Sequence, residues 1–362
     1  MPIVAFVIVL SVLVLIHELG HFWAARRAGI PIQEFGLGYP PKLITLGHLG
    51  ETEYTLNAIP FGGFVRLAGE ADPATPYGLA SRPKRTRLLV LAAGAAMNLL
   101  LAFVLFSATF VLGVPVPLEF NRVTITSIVP DSPAEAAGLR MGDLILAADR
   151  VAIEKPEQLT AHIFQHLGQE IQLEVRRGKS SLIIPVVPRE QWPEGQGPIG
   201  LTIQPYASRI EIQSYPWWQA LGLGLEETLS TVVLTLSIPV LVLRGLVPAS
   251  AVRPVGPVGV AQMTGDAAQQ VVATGWWFPL LQLTAVVSAG LCLANLLPIP
   301  GLDGGRIFFL VVEAIRGRRI SPEKEGLVHL IGMALLVMTM LIITYQDIVA
   351  PAPSINWSDF LR

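Results

Sequence analysis

The chain has 362 residues, of which 52% are hydrophobic and only 14% charged, and its mean hydropathy is +0.56. Soluble domains carry about 25% charged residues, so this composition excludes an ordinary soluble protein and implies an integral membrane protein. A formal net charge of −2 offers no basic footprint for nucleic acid, and a single cysteine, Cys292, excludes an internal disulfide.

The first predicted element is an apolar helix over Ile3–Ala25, in which Ser11 is the only non-apolar residue before His17-Glu18-Leu19-Gly20-His21. That length matches the roughly 20 apolar residues needed to cross a bilayer. Met1-Pro2 supplies no basic leader, so a cleaved signal is not expected. Ionisable residues at membrane depth are a functional-site hypothesis by default. On a helix, positions i and i+4 share one face about 6 Å apart along the axis. His17 and His21 can therefore converge on one Zn²⁺ through neutral ring nitrogens. Glu18 lies on the flanking face, where it can act as general base on a water activated there. The bland alternative is a structural His/Glu cluster.

Residues 31–67 are rich in Gly, Pro, Thr and aromatics, with β-like runs at Leu43–Leu46, Tyr54–Ile59 and Gly63–Leu67. They predict a small sheet beside the first helix, whose edge could accept an extended peptide, or else a hairpin with no substrate contact. A second span follows over Leu88–Val114 and carries Asn98 within "GAAMNLL". Residues 117–207 form the one soluble domain expected, with strands at Val123–Val129, Ile171–Arg176, Ser181–Val187 and Ile199–Ile203 and a helix over Pro156–Leu167. Its element order and the stretch "SPAEAAGLRMGDLIL" resemble a bacterial PDZ domain. That resemblance implies a carboxylate-binding loop at Pro198-Ile199-Gly200-Leu201, where backbone N–H groups of Ile199, Gly200 and Leu201 could capture a peptide or protein C-terminus. His162 and His166 repeat the i, i+4 spacing without a glutamate and read as an exposed polar face. Trp217–Leu243, within 214–247, carries Glu226 and Glu227 and reads as an amphipathic helix on or partly in the membrane.

The third span, Trp276–Leu297, ends in Asn295-Leu296-Leu297-Pro298-Ile299-Pro300-Gly301-Leu302-Asp303-Gly304-Gly305. Prolines stop the helix and glycines permit close backbone approach. Zinc proteases use three protein ligands and leave one position for water. Asp303 is the only acidic residue between Asp266 and Glu313, so it is the candidate third ligand; as a helix cap it would serve equally well. The fourth span is Leu327–Tyr345, with His329 near its start reaching the interface; His48 reads as a loop residue. Arg26 and Arg27, the cluster Arg66 to Arg87, and the cluster Arg306 to Lys324 follow or precede the spans and orient them cytoplasmic-side. The chain thus divides into 1–114, 117–207, 214–247, 248–346 and a tail at 347–362, with both termini and 115–275 outside.

HELGH in the first span, a Gly-rich β segment, a PDZ-like insertion and "NLLPIPGLDGGRIFF" together resemble the bacterial site-2 protease family, over nearly the whole chain. The resemblance implies an intramembrane zinc metalloprotease of the inner (plasma) membrane: a polytopic α-helical protein of four transmembrane helices with a membrane-associated β-sheet, plus one inserted α+β PDZ-like domain. It implies Asp303 as the third zinc ligand and Asn295 as a residue holding substrate backbone. It also implies Asn98 as a packing or substrate-positioning residue. The PDZ-like domain would be extracytoplasmic and the active site toward the cytoplasmic side. Substrates would be single-span proteins already trimmed outside the membrane, such as anti-sigma factors, or remnant signal peptides. Relatives with two PDZ domains differ from this chain, which has room for one. A catalytically inert scaffold binding peptides through the inserted domain is the alternative; a transporter with a broken helix would require internal repeats, which are absent.

Overall fold

The computed structural model describes residues 2–70, 72, 74–178, 180–193, 196–247, 252–351 and 357. They form two compact units, one joining the chain up to Val114 with Ser214–Trp357, the other Pro115–Gln213. Of the expected tail, 352–356 and 358–362 lie outside the described residues.

In the first unit, five helices among the described residues are long and apolar enough to cross a membrane: α1 (Pro2–Arg27), α2 (Lys84–Leu112), α5 (Trp217–Leu243), α7 (Phe278–Leu296) and α9 (Pro322–Val349). Even α7, with 19 residues, reaches roughly 28 Å at 1.5 Å per residue. The chain is a multi-pass membrane protein. Helix α5, expected to lie on or partly in the membrane, also meets this length and apolarity, since Glu226 and Glu227 are its only charged residues over 27. Its buried residues are Ala220, Gly224 and Thr228, one face of its first half.

Lipid gives apolar helices no hydrophobic reason to associate, so small residues that allow close approach dominate the contacts. At Gly20 a Cβ would lie 2.3 Å from the Ala93 carbonyl oxygen, which fixes how tightly α1 crosses α2. Ala102 and Phe106 of α2 pack on Ala285 and Ala289 of α7, all fully buried. Beside them the Ser288 hydroxyl donates to the Asn98 carbonyl at 2.7 Å.

Two shorter helices complete the bundle. The first, α6 (Pro257–Thr274), packs on α1, with Gly265 against Pro2. Its first turn donates the Gly259 N–H to fully buried Asp347 of α9 at 2.8 Å. The second, α8 (Asp303–Arg316), is pinned to α2 by Glu313, which takes Arg87 at 2.7 Å and Arg319 at 3.3 Å.

Strands β1 (Ile32–Leu49) and β2 (Thr52–Leu67) pair antiparallel. The three short runs expected from sequence are here segments of two long, bent strands. Glu34, Phe35, Gly36 and Leu37 each have two partners in β2, one from 63–66 and one from 53–56. The stretch 32–37 is therefore central, between two segments of β2, and 42–49 pairs with 52–57 on one flank. Phe22 of α1, Phe35 and Tyr54 form the aromatic cluster that seats this sheet on the helix. His48 falls in β1, opposite Glu53, rather than in a loop.

The second unit is a sheet ordered β7-β6-β4-β3-β8, from β3 (Val114–Ile128), β4 (Leu144–Ala148), β6 (Ile171–Arg177), β7 (Ser180–Val186) and β8 (Leu201–Gln213), with β5 (Val151–Ala152) beside β4. Helices α3 (Pro133–Ala136) and α4 (Pro156–Gln165) belong to it. Alternate residues Ile171, Leu173 and Val175 of β6 are fully buried with Val123, Ile145 and Leu159, the period-two signature of a one-sided sheet.

Asp143, in the "RMGD" stretch, is 1% exposed and takes Arg177 in two parallel bonds of 2.7 and 2.8 Å and the Arg140 N–H at 2.9 Å. Burial pushes its carboxyl up, but the Arg177 bonds and the Arg140 N–H outweigh that and hold it below the usual aspartate range. A carboxylate depressed in the folded state contributes stability that is complete above its unfolded pKa of about 3.9 and is lost as pH falls through the folded value. Hydrogen exchange of β6 amides should therefore accelerate on acidification below about pH 4 beyond its intrinsic trend, and Asp143→Asn should weaken protection while flattening that dependence. Unchanged pH sensitivity in the variant would contradict this.

Candidate metal centre

The helical period delivers His17 and His21 to the same face of α1, and α2 packs directly over them. His21 Nδ1 lies 2.8 Å from the Val90 carbonyl. A carbonyl only accepts, so Nδ1 carries the proton and the neutral ring's Nε2 presents a lone pair. That Nε2 is 3.1 Å from His17 Nε2. Asp303 Oδ2 completes a triangle, 3.0 Å from His17 Nε2 and 3.2 Å from His21 Nε2. The three side chains are 10%, 12% and 20% exposed.

Three ligands about 2.05 Å from a tetrahedral ion lie about 3.3 Å from one another. The donor set and its spacing therefore fit zinc. Two imidazole nitrogens and a carboxylate oxygen thus converge at the spacing that a shared cation imposes. Gly94 of α2 roofs the group: a Cβ there would lie 2.4 Å from His21 Nε2 and 2.7 Å from His17 Nε2.

Asp303 arrives through the turn that ends α7. It is the first residue of α8, whose N-cap is Leu302 with no side-chain cap bond. The carboxylate faces the imidazoles instead of the helix amides, so the capping alternative does not describe it. The glycines explain the tightness of the turn: a Cβ at Gly304 would sit 2.0 Å from the Leu297 carbonyl oxygen. His329 also belongs here. Its Nδ1 accepts the Gly301 N–H at 2.9 Å, tying α9 to this turn rather than reaching toward an interface.

Glu18 stands outside the triangle. Its Oε2 accepts the Val65 N–H of β2 at 3.0 Å, so the segment 63–67 lies directly against the candidate base. Sequence reasoning missed this contact, since nothing local pairs residues 47 apart. Asn98, 1% exposed, places Nδ2 3.4 Å from His17 Nδ1, and its Oδ1 has no partner among the described residues. Asn295 lies in the last turns of α7, half-buried, with no hydrogen-bond partner among the described residues.

In the second unit, Ile199 is buried in the core, while Gly200 has φ +71° and sits so close to Ser132 that a Cβ would lie 2.4 Å from the serine Cβ. A groove of about 180 Å³ runs between α4 and this loop, lined by Thr160, Ile163, Phe164, Ile199, Gly200 and Leu201 among others.

The sequence profile described as peptidase family M50 matches residues 5–339. A Clostridium perfringens protein whose name assigns it provisionally to the zinc metalloproteases is 34% identical, over 97% of this chain and 99% of its own length. The zinc metalloprotease RasP of Oceanobacillus iheyensis is 30% identical over 96% of this chain and 98% of its own. A protein of Enterococcus faecalis named as a probable protease, eep, is 28% identical over 96% and 98% respectively.

Proposed function

This chain belongs to peptidase family M50, and from that premise we propose that it is a zinc metalloendopeptidase cleaving transmembrane segments of single-span membrane proteins. The observation that carries the reading is the convergence of His17, His21 and Asp303 within 3.2 Å of one another, between helices fit to cross a membrane. Held by these three ligands, zinc supplies Lewis-acid polarisation of the scissile carbonyl and acidification of a water.

The rest of the chemistry belongs to the chain. Glu18 takes the water's proton and later delivers it to the leaving amine. A substrate helix hides its amides in internal hydrogen bonds, so it must unwind before it is cut. The 63–67 edge of β2 can receive it as an added strand, and the Val65–Glu18 bond sets that edge beside the base. Asn295, whose carboxamide has no partner among the described residues, suits a bond to substrate backbone. For Asn98 the geometry favours orienting His17: with the amide turned so that Oδ1 accepts from Nδ1–H, the lone pair of His17 is left on Nε2, facing the other two ligands.

Orientation follows the basic clusters. Arg82 donates to the Gly29 carbonyl, just after Arg26 and Arg27, while Arg87 and Arg319 share Glu313. All three clusters therefore meet at one end of the bundle, and the positive-inside rule makes that end cytoplasmic. In that arrangement α5 lies along the membrane as an amphipathic helix, which keeps the number of crossings even and the inserted unit outside. The inserted unit acts as a PDZ-like module. Neither the Ile199 nor the Gly200 N–H donates to a described residue, and free amides at the end of an apolar groove suit a peptide C-terminus.

Incubating the purified full-length protein in detergent with a synthetic transmembrane peptide tests the reading. Cleavage within the apolar segment is expected, abolished by a zinc chelator and restored by added zinc. Cleavage confined to flanking polar residues, or indifferent to the chelator, would overturn it.

A further inference from the structure

His162 and His166 do not form the plain polar face their spacing suggests, because the fold brings Asp149 to them. A carboxylate oxygen of Asp149 and one nitrogen of each ring lie within 4.8 Å of one another. His162 Nε2 is 2.7 Å from Asp149 Oδ2, and the two rings sit 4.4 Å apart, tilted by 30°.

Each outer ligand is also held from behind by backbone. Asp149 and Arg150, with φ of +47° and +68°, make the two-residue turn between β4 and β5. Asp149 Oδ1 accepts the Gln172 N–H of β6 at 2.8 Å, which leaves Oδ2 turned toward α4. His166 Nδ1 lies 2.8 Å from the His162 carbonyl and so donates to it, which leaves the lone pair of the neutral ring on Nε2, free to ligate. Metal-ligating histidines characteristically engage their second nitrogen in this way. An Asp149–His162 ion pair alone accounts for neither the close second imidazole nor its fixed tautomer.

We propose that Asp149, His162 and His166 form a second site for a borderline divalent metal such as Zn²⁺, in the inserted unit. Two imidazoles and one carboxylate suit zinc over magnesium or calcium. The side chains of His162 and Asp149 are 13% and 34% exposed, so they can close on an ion from solvent, and water completes the coordination. A bound ion would clamp α4 to the β4–β5 turn. Because Thr160, Ile163 and Phe164 of α4 line the groove, the clamp would set one wall of the proposed peptide site. The inference does not depend on the protease reading, since no residue is shared between the two ligand sets.

Zinc stoichiometry of the full-length protein, dialysed in detergent against buffered Zn²⁺ and measured by total metal analysis, tests it. The wild type is expected to hold about two equivalents, and the His162→Ala/His166→Ala variant about one. The His17→Ala/His21→Ala variant is expected to hold about one, which disappears when His162 and His166 are also replaced. Asp149→Asn, which keeps the Gln172 contact, should weaken the second equivalent at least tenfold. A zinc content that does not fall when His162 and His166 are replaced, in the wild-type background or in the His17→Ala/His21→Ala background, would overturn the assignment.

Discussion

Glu18→Gln is expected to leave zinc binding intact while lowering the cleavage rate by about 10²- to 10⁴-fold, the usual contribution of a positioned general base. The prediction is sharp because this substitution conserves geometry. Glutamine has the same shape, and its amide oxygen can still accept the Val65 N–H that now holds Glu18 Oε2 at 3.0 Å. The ligand triangle is untouched, because Glu18 is not among the three groups within reach of a shared ion. Only the capacity to take and return a proton is lost. Zinc content by metal analysis and peptide turnover by mass spectrometry separate the two effects. Binding of the peptide should be unchanged, so the loss falls on kcat and not on KM. A variant that still cleaves at the wild-type rate would remove Glu18 from the mechanism; one that loses zinc would make it a ligand or a structural prop.

What sequence could and could not announce follows from how far each interaction reaches along the chain. The His17/His21 spacing is a property of a single helix, so it was legible before any fold was known. Asp303 is 286 residues from His17, and local sequence left it open between ligand and helix cap. Only the fold separates these, by giving the N-cap to Leu302 and turning the carboxylate to the imidazoles. The central β segment 32–37 was not legible, because Gly36, Gly38, Pro40 and Pro41 break the alternation on which strand patterns depend. Its neighbours at 43–46, 54–59 and 63–67 carried the signal instead. Helix α6 is equally hard to read from sequence. Gln262, Asp266, Gln269 and Gln270 dilute its apolar pattern, and it is anchored by Asp347, 88 residues away from Gly259. Asp149 was invisible for the same reason: it meets His162 only because β4 turns back beside α4.

A glycine should prove as decisive as any ligand. Gly94→Ala is expected to abolish stable zinc binding, and with it cleavage, although Gly94 offers no donor of its own. The added methyl would lie 2.4 Å from His21 Nε2 and 2.6 Å from His17 Cε1, far inside van der Waals contact. Either the imidazoles rotate away or α2 retreats from α1. The second course is opposed elsewhere, since Gly20 already sits against the Ala93 backbone and α2 is packed on α7 through Ala102 and Phe106. Interiors packed this closely do not absorb a methylene without local strain of about 1–3 kcal/mol. The rings are the softer element, so the metal geometry should fail first. Asn98→Ala, one turn along α2, supplies the graded comparison. It removes only the group that orients His17, and its zinc affinity should fall by about 10- to 100-fold, as for other outer partners of a ligand. Competition with a fluorescent zinc chelator measures both, and thermal unfolding in excess chelator reports whether the apo fold survives. Wild-type zinc affinity in Gly94→Ala would mean that α2 does not roof the site as described.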